Sequence, residues 1–373
     1  MKRISKLLLA ISFVVSSTSS AFAVTVVSWG GAYTNSQKLG YGDPAAKKLG
    51  FPINWVDYSG GLSEVKAQVE AGAITWDIID VYAMDTINGC DEGLFVEFDF
   101  DKDFGPGSDG VKASDDFFAP MPSKCAVGNI LYSWNYAYNH DTIGSKKPKT
   151  IKDFYNTKKF PGKRGLYGSA VSNLEIALAA DGVKPGKGGA NIYKLLNTEA
   201  GVTRAMDKIA ALCNDPKGGC VFWSAGAKPP ELLMSGEVVM ATGWNGRFFG
   251  AQMDGAPLTQ VWDAQGLDYQ YMVQVKGGPN DANGKAIKAL KEMMSTEGLA
   301  GSAKHIAYAP FRKSSLDVIE KGEPWYKDGK TNMLPEMPSS KKNTKNYFLV
   351  DAVFWADNGT ELGEKFEALK AKW

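Results

Sequence analysis

Trp76-Asp77-Ile78-Ile79-Asp80-Val81-Tyr82 is the stretch on which the fold turns. So short and apolar a run reads as a strand buried on both faces, the kind found in parallel sheets. Upstream, Val24 to Trp29 is a β-branched run ending in Gly30-Gly31, and Phe51 to Tyr58 is a second extended stretch. Between them and residue 76, Ser63 to Ala71 reads as a helix with Ser63 at its N-cap. Strands alternating with helices imply parallel βαβ units and an α/β fold.

The pattern continues along the chain. Phe98 to Pro122 is an open stretch rich in Asp, Gly and Pro. Ile130 to Asn139 alternates Tyr132, Trp134, Tyr136 and Tyr138 as a long strand should. Helices are expected at Asn173 to Ala180 and around Val202, Met206, Ile209 and Leu212, which share one face. Strands are expected at Val221 to Ser224, Glu237 to Thr242 and Tyr269 to Val275, with a largely helical region from Lys285 onward.

The whole chain has 373 residues, enough for two or three cores, with 44% apolar and 22% charged residues. Its 42 basic and 41 acidic residues nearly cancel, so no cationic surplus exists to neutralise a phosphate backbone, and nucleic acid is not an expected partner. At the N-terminus, Lys2, Arg3 and Lys6 precede the apolar stretch Leu7 to Val15 and then Ala21-Phe22-Ala23. That order is a secretory leader, residues 1–23, cut after Ala23. The apolar run is too short to span a membrane. The mature chain is expected in the periplasm, where cysteines form disulfides. Cys213 and Cys220 flank a Pro/Gly turn and pair; Cys90 then pairs with Cys125. Their spacing is not that of a zinc site, and with only His140 and His305 in the chain no metal or cofactor is expected.

Several motifs carry little. Gly105 to Gly110 fits G-x-G-x-x-G but follows an acidic loop instead of a strand, and Asp99, Asp101 and Asp103 lack the Gly and Glu of a calcium loop. No nucleophile elbow, zincin motif or P-loop is present, so the chain is not read as an enzyme. More informative are aromatics at predicted strand ends, Trp29, Tyr82, Trp244 and Tyr269 among them, beside Gly30-Gly31, Ser172-Asn173 and Asn245-Gly246-Arg247. Open α/β sheets place their ligand crevice there.

Ser28-Trp29-Gly30-Gly31, Trp76 to Val81, Ser235-Gly236-Glu237-Val238 and Gly243 to Arg247 resemble the spermidine/putrescine-binding proteins of bacterial ABC importers. The resemblance implies a two-lobed periplasmic-binding-protein fold, each lobe a mostly parallel sheet flanked by helices. It implies one lobe of residues 24–135 plus about 269–312. The other would comprise 137–265 plus about 313–373 with packing C-terminal helices, and Tyr132 to Asn139 and Leu258 to Tyr271 would be hinge segments. Mapped residue by residue, Trp29, Tyr82, Ser172, Ser224, Trp244 and Tyr269 fall at or near solute contacts. Where polyamine binders carry ammonium-holding carboxylates, this chain has Arg247 and Tyr271. A cation facing a dication is repulsive, so a carboxylate-bearing solute gripped by Arg247 is expected. Asp80 would meet its amine, giving a γ-aminobutyrate-like amino acid; a polyamine is the alternative. The implied partners are this small solute and a membrane permease, and the receptor is expected to be a monomer.

Overall fold

The computed structural model describes residues 23–373, so all of the expected leader but Ala23 lies outside the described residues. Ten strands follow in chain order: β1 (Val24–Ser28), β2 (Ile53–Asp57), β3 (Ile78–Tyr82), β4 (Val127–Asn139), β5 (Arg164–Tyr167), β6 (Cys220–Trp223), β7 (Met240–Trp244), β8 (Leu258–Gln274), β9 (Ala309–Pro310) and β10 (Tyr347–Leu349). Their spatial order is β2-β1-β3-β8-β4-β7-β5-β6. β1 runs parallel to β2 and β3, and β5 runs parallel to β6 and β7. Between these two parallel sets lie the long strands β4 and β8, antiparallel to each other.

That topology makes two lobes from one hydrogen-bonded sheet. The C-terminal part of β8 pairs with β3, whereas the C-terminal part of β4 pairs with β7, so each long strand serves both lobes. The β4–β8 ladder is broken in its middle: Trp134 lies opposite Gly266 but Tyr136 opposite Val261, and Ala264 in the extra loop of β8 takes a left-handed φ of 56°. Such a bulge bends the strand that carries it. Val24, Val26, Val27, Ile78, Ile79 and Val81 are buried, because helices cover both faces of the first lobe's sheet.

Helix Ser63–Glu70 starts one residue earlier than expected, with Leu62 instead of Ser63 at its N-cap. The return to the second lobe comes later than residue 312. Arg312 donates to Asp116 Oδ2 (2.9 Å) and the Met294 carbonyl (2.9 Å), and Ser314 N–H donates to Asp116 Oδ1 (2.8 Å), so helix Lys313–Gly322 stays with the first lobe. The chain crosses back before β10, which pairs with β8 at Gln265 to Leu267. Helix Ala352–Lys370, capped by the Asp351 carboxylate, docks on the second lobe through Trp355 Nε1–H donating to Glu175 Oε1 (2.7 Å) and Phe366 against Phe222. Both disulfides form as expected, Cys90–Cys125 and Cys213–Cys220, with Cα separations of 5.8 and 4.9 Å.

Candidate functional site

The C-terminal ends of both parallel sets point at the seam between the lobes, and each delivers an aromatic ring there. Trp29 follows β1, Tyr82 ends β3, Tyr167 ends β5, Trp223 ends β6 and Trp244 ends β7. Trp29 lies 4.5 Å from Tyr82 and, across the seam, 6.1 Å from Trp244; Trp244 in turn meets Trp134 and Trp223, each at 5.4 Å. Two glycines admit these rings. A Cβ on Gly60 would lie 2.4 Å from the Trp29 ring, and one on Gly226 would lie 2.5 Å from that of Trp244. The indole N–H groups of Trp223 and Trp244 are buried without a hydrogen-bond partner, which marks the seam as built for something that accepts hydrogen bonds.

Helix Asn245–Met253 begins directly after β7 and carries Arg247 in its first turn, only 5% exposed. Arg247 Nη1 donates to the Gly30 carbonyl (2.9 Å) and Nη2 to that of Trp29 (3.1 Å). Its guanidinium carbon lies 5.7 Å from the Trp244 ring and 5.9 Å from that of Tyr33, and Nε has no partner. With Trp29, Tyr33, Tyr132, Trp244 and Gln270, Arg247 lines a narrow, nearly closed cavity with about 10 Å³ open to the centre of a water molecule. Tyr308 closes it; burial raises the Tyr308 hydroxyl to about 12, against the lowering pull of Arg247. A larger groove around Phe98, Phe117 and Phe118 lies elsewhere on the first lobe, and its charged lining residues Asp115, Lys124 and Lys313 are exposed to solvent.

Asp80 is placed differently from the expectation. It is fully buried, and its Oδ2 accepts from Tyr33 Oη (2.8 Å), Gln37 Nε2 (2.5 Å) and Asn129 Nδ2 (2.9 Å). With its amide nitrogen turned inward, Gln270 donates to Oδ1 at 3.0 Å. Burial pushes the carboxyl up to about 7 although the Tyr33 and Gln37 donors pull it down. Asp80 therefore props Tyr33 and Gln270 from behind the cavity wall. Tyr269 and Tyr271 are also displaced from the expected role. Side chains alternate along β8, and these two point away from the seam, packing on Phe311 at 4.8 and 5.4 Å. Ser224 is exposed, whereas Ser172 is buried at the start of helix Asn173–Ala180, with φ 65° and an unpartnered Oγ.

The opposite face of β8 carries a residue the sequence reading passed over. Asp268 Oδ2 accepts from Tyr132 Oη (2.6 Å) and Trp134 Nε1 (3.4 Å), and Oδ1 accepts from the Tyr269 N–H (2.8 Å). Burial raises its carboxyl to about 6, with the Tyr132 bond opposing. Alternation was the available signal: a hinge carboxylate three residues before Tyr271 stands on the other face of the strand.

Residues 41–334 match the family described as bacterial extracellular solute-binding protein. The chain is 33% identical over 365 residues to a γ-aminobutyric acid-binding protein of Pseudomonas aeruginosa, covering 98% of this chain and 96% of that one. Among solved structures it resembles a periplasmic binding protein of A. tumefaciens B6 in complex with glucopine, at 30% identity and a TM-score of 0.80, covering 93% and 99% of the two chains. A γ-aminobutyric acid receptor structure matches at 26% identity with a TM-score of 0.75, covering 94% and 98%.

Proposed function

The chain belongs to the bacterial extracellular solute-binding proteins, receptors of ABC importers, and on that premise we propose that it captures a small zwitterionic amino acid of the γ-aminobutyrate kind between its lobes. The observation that carries this reading is Arg247: a buried guanidinium facing an aromatic cavity, with an unpartnered Nε and, among the described residues, no carboxylate in an ion pair with it. A solute anion supplies the missing charge, and two-pronged pairing suits the fork of an arginine. A dication such as putrescine would add like charge to a poorly screened site. Asp268, buried in the same seam, supports an ammonium group at the solute's other end. The name of the Pseudomonas relative points the same way.

In this reading the protein is exported by its leader, works as a monomer, binds its solute without turnover and delivers it to a membrane permease, with no nucleic acid involved. Calorimetric titration with γ-aminobutyrate and putrescine tests the reading. One γ-aminobutyrate bound per chain and recovered unchanged is the expected result. Tight putrescine binding with silence toward γ-aminobutyrate would replace it by the polyamine alternative, and recovery of a reaction product would remove the receptor assignment.

A further inference from the structure

Arg247 reaches across the seam. It belongs to the second lobe, yet both carbonyls it donates to, those of Trp29 and Gly30, lie at the end of β1 in the first. A guanidinium has five N–H donors in a rigid fork. The two bonds to the first lobe use Nη1 and Nη2 and leave Nε without a partner. Around the charge lie neutral carbonyls, the Tyr308 hydroxyl and the rings of Tyr33 and Trp244; the nearby Asp80 is already engaged by Tyr33, Gln37 and Asn129. A cation buried among neutral dipoles loses more hydration than they return. A carboxylate on the Nε side converts the same arrangement from a lone buried charge into a hydrogen-bonded pair.

We propose that Arg247 is a two-edged latch and that solute selectivity is exercised at closure: one edge ties the lobes together through Trp29 and Gly30, the other takes the solute's carboxylate, and the lobes close fully only around an anion. This rests on the reading of a carboxylate-bearing solute given above. Under it, a solute lacking an anion binds to the open receptor but does not draw the lobes together. Arg247 then sets affinity and compaction by separable groups of atoms.

The experiment combines calorimetry with solution X-ray scattering on the full mature chain, using γ-aminobutyrate, butyrate, butylamine and putrescine as probes. The unmodified protein should compact with the two carboxylate-bearing probes and stay extended when saturated with butylamine or putrescine. Arg247→Lys keeps the charge but not the fork. It should bind γ-aminobutyrate at least tenfold more weakly and show less than half of the compaction at saturation. Gly31→Ala sets a Cβ 3.3 Å from Nη1 and strains the backbone at a φ of 56°, so it presses on the tie from the first lobe; it should reduce compaction while keeping the preference for carboxylates. Circular dichroism confirms that both variants fold. Full compaction of saturated Arg247→Lys, or of the unmodified protein with putrescine, overturns the latch. If γ-aminobutyrate fails to titrate, the solute reading falls, and the latch is judged on whichever probe does titrate: full compaction by one without an anion sinks it. A protein that responds to none of the four overturns both.

Discussion

Arg247 holds more of the recognition chemistry than any other single residue. Replacing it by Ala should remove one charge-assisted pair and strand the solute's anion, weakening γ-aminobutyrate binding by about 2 to 5 kcal/mol, or roughly 30-fold to several thousand-fold, as read by calorimetry. Arg247→Asp should go further and shift preference toward diamines, since repelling the wrong charge contributes to specificity as attracting the right one does. Asp80 offers a second test, on stability. Its folded carboxyl titrates near 7 because burial opposes ionisation, and Asp268 near 6 for the same reason. The folded state therefore binds these protons more tightly than the unfolded chain. Stability should fall as pH rises from the ordinary carboxylate range through about 7, with the favourable contribution gone above that. Thermal melts should show a lower Tm at pH 8 than at pH 5. Asp80→Asn should flatten part of that slope, because Gln270 can turn its amide to accept from the new NH₂ while Tyr33, Gln37 and Asn129 keep their acceptor. A slope unchanged in this variant would count against Asp80 as a source.

Individual elements differ in how far they could be read in advance. Helix Glu199–Cys213 followed from periodicity, because its buried stripe of Val202, Ile209 and Leu212 dictates residue type at each turn, and the βαβ alternation followed from short apolar runs between helices. The disulfides followed from the leader and the turn between Cys213 and Cys220. On the loop-entropy model, reducing Cys213–Cys220 should cost about 2 to 3 kcal/mol, and the longer Cys90–Cys125 loop, with a separation of 35 residues, about 3 to 4. Denaturant melts of Cys→Ser pairs check both the size and the order. What escaped the reading was set by tertiary register. Asp268 and Tyr271 are neighbours on one strand, and only the pairing of Tyr132 with Asp268 and Gly128 with Tyr271 decides how β8 sits against the seam. Tyr33 and Tyr308 are 275 positions apart in the chain, and nothing local to either says that their rings meet at 5.2 Å beside Arg247. The late crossing to the second lobe was hidden likewise, because it depends on Asp116 capturing Arg312 and Ser314.

At the scale of the whole molecule, two lobes that share β4 and β8 can rotate with their internal packing intact. Solution scattering of the mature protein should give a smaller radius of gyration on saturation with γ-aminobutyrate, and an unchanged radius would argue against hinge motion. The interrupted ladder between Trp134 and Tyr136 bears on time as well as shape. Bending at that gap breaks no β4–β8 pair, so opening meets little resistance from that ladder. The lifetime of the captured solute is then set by the contacts that grip it, and variants of the seam should differ mainly in dissociation rate while association stays nearly constant. Stopped-flow recording of tryptophan emission, with Trp29 and Trp244 on opposite sides of the seam, should find off-rates that spread over orders of magnitude and on-rates that hardly move.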